Sequence, residues 1–98
     1  MARSKLTPWG HADAIDEVGE GIYFASTPSH GGYFVPTAKL SAIPEAHQAR
    51  ALRWSASRNW YEEDCEWASV AVAFPHLFSE SQREAAAATM KWRERPAV

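Results

Sequence analysis

Ile22-Tyr23-Phe24-Ala25-Ser26-Thr27, then Pro28-Ser29-His30-Gly31-Gly32, then Tyr33-Phe34-Val35 before Pro36, is the stretch that decides the fold. Two runs rich in aromatic and β-branched residues flank a loop of proline, serine and glycine, the pattern of strand, turn and strand. Upstream, Ala12 to Val18 predicts a further strand, joined through the tight turn Gly19-Glu20-Gly21. The first third of the chain therefore reads as a meander of three short antiparallel strands.

After Pro36 the pattern changes. Thr37 caps a short helical turn carrying Leu40 and Ile43. Pro44 suits the first position of a helix, where its missing N–H costs nothing, and Glu45 complements the positive end of the dipole. That helix is expected to reach about Trp54, with Ala46, Ala49 and Leu52 or Arg53 as its apolar stripe. Asn59, with Glu62 three residues on, reads as the cap of a central helix. It carries Tyr61, Cys65, Ala68 and Val72 on one face and Trp60, Trp67, Ala71 and Phe74 beside them, and it ends before Pro75. Ser79 and Gln82 form a capping box for a last helix from Glu80 to Arg95, with Ala85, Ala88, Thr89 and Trp92 on a shared face. The expected fold is α+β: a three-stranded antiparallel meander at the N-terminus followed by about three helices packed on one face. Met1–Leu6 is expected to be a flexible N-terminus, and residues 7–98 a single domain.

Composition agrees with one globular domain. The 98 residues are 46% hydrophobic and 22% charged, which excludes bulk disorder. Ten basic and twelve acidic side chains give a net charge of −2, without the basic excess of a generic nucleic-acid binder. The single cysteine, Cys65, can form neither an internal disulfide nor a thiolate zinc cage, so the expected compartment is reducing, the cytoplasm. No apolar run is long enough to span a membrane, and no apolar stretch follows Arg3 and Lys5 as a secretory signal would require. The five tryptophans are Trp9, Trp54, Trp60, Trp67 and Trp92. They suit a small core, where most are expected, and are also the residue type enriched at binding hot spots.

Thr7-Pro8-Trp9-Gly10, Ser29-His30-Gly31-Gly32 and Trp60-Tyr61-Glu62-Glu63-Asp64-Cys65-Glu66-Trp67 resemble the motifs of a small uncharacterised bacterial domain family of plasmids, phages and other mobile elements of proteobacteria. The resemblance runs from about Thr7 to Trp92. It carries no catalytic or binding residues across. What it implies is context, because small proteins of mobile elements often act by binding and blocking a host machine.

Candidate sites follow from residue type. Ser29, His30, Gly31 and Gly32 could form a turn whose N–H groups hold an anion beside an imidazole, although a hairpin loop alone also explains two glycines. Glu62, Glu63 and Glu66, with Asp64, form an acidic cluster in the first turns of the expected central helix, where they complement its dipole or meet a basic partner. Their reversal to lysine is then expected to weaken partner binding without unfolding the domain. Arg50, Arg53 and Arg58, with Trp54 and Trp60 among them, could instead meet phosphates and bases. Cys65 is expected to be buried and inert. His11, His30, His47 and His76 lack zinc-motif spacing, leaving only a spatial His11–Asp13–His30 site to consider. No cofactor fingerprint or nucleophile elbow occurs.

The functional expectation is a non-enzymatic protein-interaction domain of a mobile element. It would bind a host or phage protein or a nucleoprotein complex, in its narrower form as an anti-defence inhibitor of the anti-CRISPR or anti-restriction type. No cofactor, metal or membrane is expected. The alternatives are a nucleic-acid-binding regulator using the arginine surface, and a small enzyme centred on His30. For the enzyme, His30 should sit in a cleft facing a carboxylate or Cys65.

Overall fold

A computed structural model of the chain describes residues 6–93. In chain order it contains β1 (Leu6–Thr7), β2 (Gly10–His11), β3 (Ala14–Gly19), β4 (Ile22–Ser26), β5 (Gly31–Phe34), α1 (Glu45–Ser55), β6 (Trp60–Glu62), α2 (Trp67–Ala73) and α3 (Glu80–Arg93). Two 3-10 turns, Thr37–Ala42 and Pro75–Leu77, precede α1 and α3 respectively. The fold is α+β, with a four-stranded antiparallel sheet in the order β3-β4-β5-β6 and a separate β1-β2 hairpin.

The three expected strands form and pair in sequence, with Phe24 opposite Tyr33 and Tyr23 opposite Phe34. The sheet then gains a strand that the helical reading of Asn59–Phe74 hid. Trp60, Tyr61 and Glu62 pair with Phe34, Tyr33 and Gly32. The ladder is prolonged at both ends, where Val35 N–H donates to Asn59 O at 2.7 Å and Glu63 N–H donates to Gly31 O at 2.9 Å. Asn59 does not cap a helix. Its side-chain amide reaches back to Val35 O at 2.8 Å and stitches the new strand to the old one. Glu62 Oε1 accepts from the Asp64 and Cys65 N–H groups at 3.1 and 3.2 Å, so the acidic stretch is a turn and the helix starts only at Trp67. Two consecutive aromatics suit a strand, and here that preference overrides a capping pattern. Cys65, expected inside a helix face, lies in this turn and is only partly buried.

Alternation along the strands sorts the sheet into two faces. Ile22, Val35 and Tyr61 are fully buried toward the helices, where they meet Ile43, Ala51, Val70, Phe74 and Phe78. Phe24, Tyr33 and Phe78 continue this layer by edge-on ring contacts at 4.8 and 5.4 Å. The opposite face carries Ala25, Gly32 and Trp60 and is covered by Trp9, delivered by the tip of the β1-β2 hairpin. Thr7 shapes that tip, its hydroxyl donating to Gly10 O at 2.7 Å and accepting from Trp9 N–H at 3.1 Å. The Trp9 ring meets Trp60 edge-on at 5.7 Å.

The helices rotate differently from their expected stripes. In α1 the buried positions are Ala51 and Ser55, while Leu52 is exposed. Ser55 Oγ lies 2.8 to 3.0 Å from the carbonyl oxygens of Ala51, Ser57 and Trp60, so a small polar residue serves the contact with β6 better than a leucine would. In α3 the buried positions are Ala86 and Met90, and Trp92 is 62% exposed. The capping box at its start forms as expected, with Ser79 N–H donating to Gln82 Oε1 at 2.8 Å and Gln82 N–H donating to Ser79 Oγ at 3.2 Å. The expected flexible segment Met1–Leu6 lies outside the described residues apart from Leu6, which is paired in β1. The expected end of the last helix at Arg95 also lies outside them. Among the described residues no helix is long and apolar enough to cross a membrane.

Gly31 and Gly32 are strand residues rather than turn residues. The turn before them is Thr27–His30, where Thr27 Oγ1 donates to His30 O at 2.7 Å and accepts from His30 N–H at 3.0 Å. A Cβ at position 32 would strike the Trp9 ring and lie 2.7 Å from Tyr61 O. Gly32→Ala is therefore expected to cost about 1–3 kcal/mol, as overpacking does, and to displace Trp9. Denaturant unfolding and the near-ultraviolet circular dichroism of the indoles check both. Among the described residues the buried hydroxyl of Tyr61 has no hydrogen-bond partner, and burial pushes its pKa up to about 12. The folded tyrosine therefore holds its proton where the unfolded one has lost it, so stability should fall as pH rises from about 10 through 12. Tyr61→Phe should remove that alkaline loss. It should be neutral or stabilising by about 1 kcal/mol at pH 7, since an unpaired buried hydroxyl is removed.

Candidate functional site

The β1-β2 hairpin, the end of β6 and two helices enclose a cleft of about 500 Å³ at the β6 edge of the sheet. Trp9 and His30 line one side. Arg50 and Trp54 project from α1 on another, and Trp92 from α3 on a third. The end of β6 supplies Glu62, and the turn after it supplies Asp64, Cys65 and Glu66. Trp54 and Trp92, expected mostly as core residues, are 65% and 62% exposed. Helix spacing alone does not place them here. They face outward because α1 and α3 bury smaller residues on the opposite side.

Glu66 is the anchor of this region and corrects the acidic-surface reading. It is 2% exposed, not a solvated face residue. Arg50 Nε donates to its Oε2 at 3.1 Å, and Arg93 Nη2 stands 3.7 Å from its Oε1. Arg93 is itself buried, donating to Ser69 Oγ at 3.0 Å and Cys65 O at 3.3 Å. Among the described residues Oε1 of Glu66 has no hydrogen-bond partner. Lysine at position 66 would place a third cation beside two arginines, so the triple reversal is not the fold-neutral change the sequence suggested. Glu63 parts from the cluster too: a Cβ on Gly31 would lie 2.9 Å from its Oε1, which places it toward Phe24 rather than among the cleft residues.

Glu62 stays partly buried, with its pKa raised above the usual 4.5. Burial is the main cause, and a hydrogen bond to the nearby Asp64 carboxyl adds to it. The two carboxyls thus sit together with one of them reluctant to ionise.

The sequence treated His30 and the acidic stretch as two separate surfaces, and the fold brings them to one cleft with Arg50 and Trp54 from the arginine set. Gly31 and Gly32 have no positive φ and form no anion nest. Their room is taken by Phe24, Glu63 and Trp9. Ser29 is exposed in the loop before them. His30 shares the cleft with Glu62, Asp64 and Cys65, the location an enzyme would need. Among the described residues, however, no hydrogen bond joins its ring to any of them, and its ring neighbour is Trp9 at 6.5 Å.

The arginine set divides. Arg58 pairs with Glu45 at 3.2 Å on the surface, while Arg50 and Arg53 border a second pocket of about 280 Å³ with His47, Met90 and Arg93 between α1 and α3. Among the described residues no three His, Cys, Asp or Glu side chains gather as a metal ion would need, His11, Asp13 and His30 included.

A family model described as a domain of unknown function, DUF7007, matches residues 2–96. No curated protein and no solved structure matches the chain.

Glu66→Ala should remove the buried carboxylate that Arg50 and Arg93 both face and destabilise the fold by about 3–5 kcal/mol, the cost of breaking a buried pair. Asp64→Asn, at an exposed position, should leave the fold intact. A denaturant titration of both variants tests the difference. The raised pKa of Glu62 means that the folded state binds more protons than the unfolded state just above pH 4.5, so this residue's contribution to stability falls as pH rises through that window. Asp64→Asn should lower the Glu62 pKa and soften that fall, as read from the Glu62 carboxyl carbon shift by NMR.

Proposed function

We propose that this chain, which belongs to the DUF7007 family, is a non-enzymatic protein-interaction domain that holds its partner in the tryptophan-lined cleft. The observation that carries the reading is the exposure of Trp54 and Trp92 at the rim of a formed cavity. An exposed indole forfeits the burial free energy that makes tryptophan useful in a small core. Two of them around one concave site have the composition of a binding hot spot. A host or phage protein would be held there, an anti-defence inhibitor being one form such a domain takes. We place the domain in the cytoplasm, where a single thiol without a disulfide partner is at home.

A second reading draws on the basic pocket between α1 and α3. Among the described residues its walls carry Arg50, Arg53 and Arg93 and no carboxylate, so a phosphate of a nucleic acid suits it. Two of the three guanidiniums already face Glu66, which makes this the weaker of the two.

Tagged wild-type protein and the Trp54→Ala/Trp92→Ala double variant, passed over nuclease-treated bacterial lysate, separate the readings. A stoichiometric protein retained by the wild type and lost with the variant supports the cleft. Retention of nucleic acid alone before nuclease treatment, weakened steeply by salt and by Arg53→Ala, would replace it with the regulator.

A further inference from the structure

We propose that the occupant of the cleft is an arginine side chain presented by the partner protein, its guanidinium set against the indoles and the Glu62–Asp64 carboxyls. This rests on the interaction reading above and gives it a chemistry.

Two features of the cleft converge on a planar cation. The first is aromatic. Trp9, Trp54 and Trp92 border one cavity from three different elements. Indole is the strongest of the side-chain π faces for a cation, and guanidinium stacks on it as well as being attracted to it. The second is charge. Glu62 and Asp64 line the cleft together, held as neighbours by the hydrogen bond that the Asp64 N–H donates to Glu62 Oε1 at 3.1 Å. Such a pair is relieved by a cation placed between or above it, and the two-pronged guanidinium matches two acceptors in one plane.

Arg50 is the one arginine or lysine among the described lining residues, and it does not reverse the sign of the site. Its Nε is committed to Glu66, so it offsets that carboxylate, and among the described residues no ion pair takes up Glu62 or Asp64. A hydrophobic anchor such as leucine would suit the indoles but would strip water from two carboxyls and give nothing back. An anionic side chain would face the same pair with like charge. Lysine satisfies the charge but lacks the flat face and the fork.

Isothermal titration of the wild-type chain with Nα-acetyl-arginine amide, Nα-acetyl-lysine amide and Nα-acetyl-citrulline amide tests this directly, citrulline being the uncharged isostere of arginine. The expected result is arginine binding about tenfold tighter than citrulline and tighter than lysine, a difference of the size one desolvated cation–π contact supplies. Asp64→Asn and Trp54→Ala, both at exposed positions, should each weaken the arginine probe severalfold while leaving the thermal midpoint close to wild type. Equal binding of arginine and citrulline, or an unchanged arginine affinity in Asp64→Asn, overturns the cation. A preference for lysine overturns arginine specifically. If the probes fail while Trp54→Ala/Trp92→Ala still loses a captured protein, the cleft is an interaction surface of another chemistry and only this inference falls. If the double variant keeps its protein partner, the interaction reading of the cleft falls with it.

Discussion

A carboxylate with almost no access to water ties the three helices of this structure together. Glu66 lies between Arg50 of α1 and Arg93 of α3, and its own backbone leads directly into α2. Burying a charge is costly unless it is paired, so each helix must present its arginine at the right turn. That requirement accounts for the rotation of α3. With Arg93 turned inward, Met90 and Ala86 follow it at three- and seven-residue spacing, and Trp92 is left on the outside. In α1 the inward set is Ala51 and Ser55, with Arg50 at the border of that face. The cleft, with indoles on its rim and carboxyls in its floor, is what remains where these rotations leave the larger side chains.

Much of the fold is legible in the sequence because its local signals agree. The aromatic runs of β4 and β5, the glycine turn after β3, Pro44 at the start of α1 and the Ser79–Gln82 box each act within a few residues. The fourth strand is hidden because its cause is not local. Asn59 and Glu62 satisfy a capping pattern on paper, but Asn59 is drawn to the Val35 carbonyl, 24 positions away in the chain. The helix faces are hidden for a related reason. A run of four alanines gives α3 no preferred side, and the choice falls to a salt bridge between residues far apart in sequence.

The site was legible in its members and not in its arrangement. His30, Glu62, Glu66, Arg50 and Trp54 were all singled out by residue type, but as three separate surfaces. The role of the glycines was misplaced for want of their partner. Nothing in Ser29-His30-Gly31-Gly32 announces that an indole from position 9 will lie on Gly32, although the rarity of a Thr-Pro-Trp-Gly turn offers the hint that its tryptophan has somewhere to go. Cys65 moved from a supposed core position to the cleft once the helix around it became a turn.

The walls of the cleft are drawn from residues 9 to 92, nearly the full length described. Contacts of that sequence separation form late, after the entropy of closing long loops has been met. No excised hairpin or helix pair carries all of its described walls. A molecule seated there is in contact with both termini of the fold at once. Its binding free energy then opposes global unfolding rather than the fraying of one element, and the bound domain resists proteases that cut only the opened chain in the same proportion.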